Sequence, residues 1–209
     1  MPSHLMNRHS GTSLKDSQGL QPGCVRQSEM PIAPDTKDWT WVLERVCPEC
    51  GFDVRSYPKQ ETGTMIRENA SRWAELLAHP ESRRRPSAEV WSGLEYGCHV
   101  RDVYRLYDER LAMMIEQGNP LYPNWDQNEA ALEKNYEKDD PTTVADDLSI
   151  AAHRLAERFD ALSDEDWKRM GTRSDGANFT VETFARYLVH DPIHHVHDVE
   201  RGYEKLSND

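Results

Sequence analysis

The sequence predicts an all-α protein: a four-helix bundle with a long crossover connection between the second and third helices. Three observations predict it. Apolar residues recur at helical spacing through four long stretches, helix-start signals stand ahead of them, and no stretch alternates as a half-buried strand would. The first helix begins near Gln60, where Met65, Ile66, Trp73, Leu76 and Leu77 share a stripe, and it ends before His79-Pro80. A basic linker, Ser82-Arg83-Arg84-Arg85-Pro86, follows as a solvated loop. Ser87 is the expected N-cap of the second helix, with Glu89 in its first turn. Trp91, Leu94, Val103, Leu106 and Met113 trace its buried face, which includes His99, and Gly118-Asn119-Pro120 stops it.

The connection from Leu121 to Asp140 holds Pro123, Trp125 and a short helical patch from Asn128 to Tyr136. Asp140-Pro141 then gives a capping carboxylate and a proline at the first helical position, starting a third helix that runs to about Leu162. Residues Ser163 to Trp167 read as a capped turn, and Asp175-Gly176 as a tight turn. The last helix opens at Thr180, with Phe179 and Phe184 placed for a hydrophobic staple, and continues to Tyr203. The resulting division is a disordered extension over residues 1–35, an irregular segment over 36–59 packed on the bundle, the bundle over 60–203, and a tail over 204–209.

A chain of 209 residues encloses one domain with extensions. Its net charge of −12 argues against nucleic-acid binding, which needs a basic patch for phosphates. No apolar run reaches the roughly 18 residues of a membrane span, and the N-terminus lacks the apolar core of a signal peptide. The expectation is a cytoplasmic protein whose four cysteines are reduced thiols or metal ligands. Cys47-Pro48-Glu49-Cys50-Gly51 has the shape of a zinc knuckle, but no second knuckle supplies the other two ligands of a structural site. The expected reading is a reduced pair in a packed loop. The alternative is a metal site completed by other ligands or a second subunit. The aromatic-rich segment with Trp39 and Trp41, more than a single small bundle is expected to bury fully, and the prevalence of two-fold dimers suggest a homodimer.

Four of the nine histidines fall within eight residues: His190, His194, His195 and His197. His190 and His194 lie one turn apart on one helix face, about 6 Å along the axis, a spacing at which two imidazoles grip one ion. His197 shares that face and is an alternative ligand; His195 points about 100° away and is expected outside the site. One helix cannot readily supply all three ligands, since residues 190 and 197 start about 10 Å apart. A ligand from another helix is needed, and His99 stands on the core-facing stripe of the second. Three histidines leave coordination positions open, as a catalytic metal requires. Glu95, Asp102, Asp191 and Asp198 flank these histidines, either as outer acceptors or a fourth ligand, or as ordinary helix-surface charges. Tyr187 projects into the pocket or packs in the core. Pro192 removes a backbone bond to Leu188 and is expected to bend the helix.

The segments Leu94-Glu95-Tyr96-Gly97-Cys98-His99-Val100-Arg101-Asp102 and Tyr187-Leu188-Val189-His190-Asp191-Pro192-Ile193-His194-His195 resemble the DinB/YfiT superfamily over residues 60–203. That resemblance implies a DinB-like bundle with metal ligands at His99, His190 and His194. It also implies thiol chemistry of the kind seen in mycothiol- and bacillithiol-dependent transferases and in maleylpyruvate isomerase, and it extends to the N-terminal domain of the ergothioneine-forming sulfoxide synthases. Many members continue the second histidine with Arg-Gly-Gln, where this chain has His195-Val196-His197-Asp198. The expectation is therefore a divalent ion (zinc or nickel, with iron or manganese also compatible) activating a low-molecular-weight thiol toward a small electrophile. A metal-dependent hydrolase and a metal-binding stress or interaction protein without turnover are the alternatives.

Overall fold

A computed structural model describes residues 39–208; the extension expected over residues 1–35 lies outside them. Four long helices carry the fold: α1 (Thr62–Leu77), α2 (Gly93–Glu116), α4 (Pro141–Asp160) and α5 (Val181–Ser207), with a short α3 (Gln127–Lys134) in the crossover. α1 packs against α4 and α5, and α2 packs against the same two, so the consecutive helices α1 and α2 lie mainly diagonal to one another. Ile66, Ala70, Trp73 and Leu77 on α1 and Val144, Leu148, Leu155 and Phe159 on α4 recur at helical spacing and are buried. Tyr104 and Leu111 of α2 and Phe184 and Leu188 of α5 complete the centre of the core. No helix among the described residues is long and apolar enough to cross a membrane.

Local chemistry sets the helix starts. The Asp140 carboxylate accepts from the Thr143 N–H, and Thr180 forms a capping box with Thr183. Phe179 and Phe184 meet edge-on at 6.2 Å, as a staple at this start requires. α2 begins later than expected. Its cap is Ser92, not Ser87, because Ser92 and Glu95 satisfy each other's backbone N–H groups, while Ser87 and Val90 pair in an isolated bridge. α5 is uninterrupted through Pro192 and reaches Ser207, four residues past the expected end.

Three short strands were not expected: β1 (Leu121–Tyr122), β2 (Met170–Arg173) and β3 (Asn178–Thr180). β2 and β3 form a hairpin whose turn places Gly176 at φ +95°, and β1 joins β2 in parallel, tying the crossover to the start of α5. The irregular arm ahead of α1 contains a 3-10 turn at Trp39–Leu43 and lies along α5, where Arg186 donates to the Val54 and Tyr57 carbonyls. Trp39 and Trp41 stack on each other at 5.7 Å, and Trp39 also packs on the rings of His190 and His194. Contacts within the chain thus take up part of the aromatic surface behind the dimer expectation.

Candidate metal centres

α5 carries two donor pairs at the same spacing, offset by one residue. At 100° per residue, His190 and His194 look toward the N-terminal arm, while Asp191 and His195 look toward α2. The three histidines expected in one centre, His99, His190 and His194, fall into two neighbouring groups of candidate donors. His99, Asp191 and His195 offer three ligand atoms within 4.8 Å of one another, and Cys47, Cys50, His190 and His194 offer four within the same limit. His99 belongs to no common group with His190 and His194 among the described residues. His195, expected outside, lies in the first group, and His197 lies in neither.

In the α2-facing group the Asp191 carboxylate sits between two imidazoles. Its Oδ2 is 3.3 Å from His99 Nε2 and its Oδ1 is 3.6 Å from His195 Nε2. The other nitrogen of His195, Nδ1, faces Asp198 Oδ2 at 3.0 Å, an arrangement in which an outer carboxylate would orient the ring of a metal-ligating histidine. His99 is 1% exposed, flanked by Trp91 and stacked on Trp125 at 5.4 Å. Its Nδ1 has no hydrogen-bond partner. Two imidazoles and a carboxylate converging on one point are a donor set that could hold a divalent ion with open positions.

The electrostatics fit the same assignment. Burial depresses the basicity of His99 despite the nearby Asp191. Burial would do the same to His195, but Asp191 and Asp198 outweigh it and raise its pKa to about 10. Burial would raise Asp191, yet His195 and His99 hold it well below the usual carboxylate range. A raised His195 favours the imidazolium form, whose positive charge faces Asp191 where an ion would bring its own. Metal binding at this centre should release about one proton per ion at pH 7, read by calorimetry in buffers of different ionisation enthalpy on the Cys47→Ser/Cys50→Ser chain, where no thiol proton contributes. No release would remove His195 from the ligand set. Because the folded value lies above the ordinary 6.5, this pairing contributes stability fully below pH 6.5 and loses it as pH rises through about 10.

The second group stands beside the first. Cys47 Sγ is 3.6 Å from His194 Nδ1, and Cys50 Sγ is 3.8 Å from His190 Nε2. Burial, reinforced by the His194 charge, pushes His190 down to about 4, so it presents a neutral imidazole. Burial pushes the Cys50 thiol up to about 11, against the Phe52 backbone N–H that favours the thiolate. The signal for this group was present in the sequence. A knuckle lacking two ligands and a His-x-x-x-His pair lacking two ligands complete each other.

Glu95 and Asp102 serve neither group and are not surface charges. Glu95 is buried in the α2 cap and paired with Arg85; Asp102 is buried among Arg101, Lys134 and Tyr136. Tyr187 lines a cavity of about 710 Å³ that both metal groups border, together with Trp39, Trp91, Trp125, Arg110 and Arg173. Arg110 is buried, donates to the Pro123 carbonyl at 2.6 Å, and has no partner at Nε. Burial lowers its pKa.

Comparison with known proteins agrees with this architecture. No curated protein matches the chain. Among solved structures it is similar to YfiT from Bacillus subtilis, described as a probable metal-dependent hydrolase with an unusual four-helix bundle topology. The TM-score is 0.65 at 15% identity, covering 87% of this chain and 98% of YfiT. A family model described as the DinB superfamily matches residues 64–199, a span that takes in His99 and the whole histidine cluster of α5. By fold and by this match, the chain belongs to the DinB superfamily.

Proposed function

We infer that the protein is a metal-dependent hydrolase acting on a small anionic substrate, with the ion held by His99, Asp191 and His195. The observation that carries this reading is the convergence of two imidazoles and one carboxylate at the wall of the 710 Å³ cavity. Two histidines and a carboxylate form the donor set of several hydrolytic zinc enzymes. The description of YfiT as a probable metal-dependent hydrolase supports the same chemistry. A divalent ion in such a set lowers the pKa of a coordinated nucleophile and polarises a carbonyl.

The protein's own side chains do the rest. Asp198 fixes the His195 ring, and Trp91 and Trp125 shield His99 from water. Arg110, a buried cation on the cavity wall with no ion pair among the described residues, supplies the positive charge that would favour an anionic group of the substrate. The nearby Arg173 is already engaged by Asp175.

Transfer from a low-molecular-weight thiol of the mycothiol or bacillithiol type is the second reading. It is favoured by the cavity, whose volume takes a molecule of drug size beside the metal centre. The test is a panel of small carboxylate-bearing esters and amides with the zinc-, nickel-, iron- or manganese-loaded chain, with and without each thiol. Metal-dependent turnover without thiol is expected; turnover only with thiol would assign the second reading. Oxygen consumption by the iron form would assign the donor set to oxygen chemistry instead. No turnover would leave a binding protein. Arg110→Leu should raise KM for an anionic ester about 100-fold, on the order of 3 kcal/mol, with little change for its neutral amide. An equal effect on both would remove Arg110 from substrate recognition.

A further inference from the structure

We propose that Cys47, Cys50, His190 and His194 form a second, closed zinc site that clamps the N-terminal arm onto α5 and fixes one wall of the cavity. This site is independent of the reaction assigned to the neighbouring centre. With zinc–sulfur bonds of about 2.3 Å and zinc–nitrogen bonds of about 2.0–2.1 Å, a tetrahedron has sulfur–nitrogen edges of about 3.6 Å. The two separations in this group are 3.6 and 3.8 Å, and all four donors lie within 4.8 Å of one another. Isolated thiol–imidazole hydrogen bonds would account for each pair alone. They do not account for two such pairs converging on one point from segments more than 130 residues apart in sequence.

The loop is shaped for the task. Gly51 adopts φ +74°, its N–H donates to the Cys47 carbonyl at 2.9 Å, and the Cys47 N–H donates to the Phe52 carbonyl at 3.0 Å. This tight turn brings both sulfurs to the same side, and only glycine takes that backbone conformation without strain. On α5 the His190–His194 spacing supplies the other two donors from one face. His194 presents Nδ1 to Cys47 and turns Nε2 toward Glu49 at 3.6 Å and Asp198 at 3.7 Å, outer carboxylates suited to a ligating imidazole.

The donor chemistry selects the ion and its role. Two thiolates and two neutral imidazoles balance a divalent charge and favour zinc over harder ions. Four protein ligands close the shell, which makes the site structural. The arm it holds has one 3-10 turn and no α-helix or strand between Trp39 and Pro58. A metal link therefore supplies what regular hydrogen bonding does not. Trp39, packed against both histidine rings, and Glu49 belong to that arm and line the cavity. Zinc here shapes the substrate space without touching the substrate.

The test uses the full chain, stripped of metal and titrated with cobalt(II) as a spectroscopic stand-in, then with zinc. A sulfur-to-cobalt charge-transfer band should rise to one equivalent per chain and vanish when zinc displaces cobalt. The band should survive Asp191→Asn and be absent from Cys47→Ser/Cys50→Ser, so this site and the neighbouring centre fail separately. In the unmodified chain, zinc should slow hydrogen exchange over the arm about tenfold or more. That measurement decides the matter even if the cysteine variant does not fold. Cobalt binding without a sulfur band, or hydrogen exchange over the arm unchanged by zinc, would overturn the proposal. A band retained in the double variant would overturn it as well.

Discussion

Asp191→Asn is expected to abolish metal-dependent turnover while leaving the bundle folded. Asp191 is the one anionic donor of its group, and each of its oxygens faces a different imidazole. A carboxamide keeps the shape but loses the charge, so the ion loses its strongest electrostatic partner. Metal affinity at this centre should fall by more than the roughly 10–100-fold typical of losing an outer carboxylate. Asp198→Asn supplies that milder comparison, because its carboxylate contacts His195 and not the proposed ion. The same substitution should shift His195 itself. Without the neighbouring negative charge its pKa should fall from about 10 toward the ordinary histidine value, read from imidazole NMR shifts. Calorimetry with zinc distinguishes the outcomes, and undiminished binding in Asp191→Asn would remove this residue from the ligand set.

Asp102→Ala is expected to be the most damaging single change to stability, at about 3–5 kcal/mol by urea denaturation. Asp102 is 4% exposed and accepts from Tyr136 Oη at 2.6 Å, Lys134 Nζ at 2.8 Å and Arg101 Nε at 3.0 Å. Its removal leaves the buried Arg101 guanidinium with Asp139 alone and the Tyr136 hydroxyl without its acceptor. The carboxylate joins α2 to the crossover one turn from His99, so its loss should also loosen the metal centre. Burial would raise the pKa of Asp102, but Lys134, Tyr136 and Arg101 together hold it below the usual range. A depressed folded value makes the contribution complete above an unfolded pKa of about 3.9 and lost as pH falls through the folded one. The variant should therefore lose less stability than the parent between pH 7 and about pH 3. A cost under about 1 kcal/mol would mean that water replaces the carboxylate at little expense.

The helices were legible because their start signals are local. Asp140-Pro141 and Thr180 cap where the sequence says, since a side chain and the N–H three residues on decide the matter. Ser87 misled for the same reason: it is a competent cap, but the Ser92–Glu95 pair is a better one, and Arg85 anchors Glu95 from outside the helix. The small sheet was not legible. Its strands are two to four residues long, too short to alternate, and β1 depends on pairing with a strand about fifty residues away. Of the candidate metal residues, the sequence marked His99, His190 and His194 as one set, and the structure places His99 in one donor group and the other two in its neighbour. The spacing rule that selected His190 and His194 applies equally to Asp191 and His195, and only the packing of α5 between α2 and the arm separates the two pairs. Charge also misled. Asp191 and Glu95 read equally well as surface carboxylates until His195 is seen beside the one and Arg85 with the helix cap beside the other.

The offset of the two donor pairs on α5 has an evolutionary consequence. One extra residue between Leu188 and His190 would turn everything after it by about 100° and carry the His190/His194 pair into the quadrant now occupied by Asp191 and His195. An all-imidazole donor set with His99 would result, and the proposed thiolate-bearing one would disappear in the same event. Val199 and Leu206, buried farther along the helix, would swing out of the core with it. The two chemistries are thus neighbours in mutational space but separated by a folding barrier. Point substitutions can tune either one, while exchange between them requires the whole C-terminal half of the helix to repack.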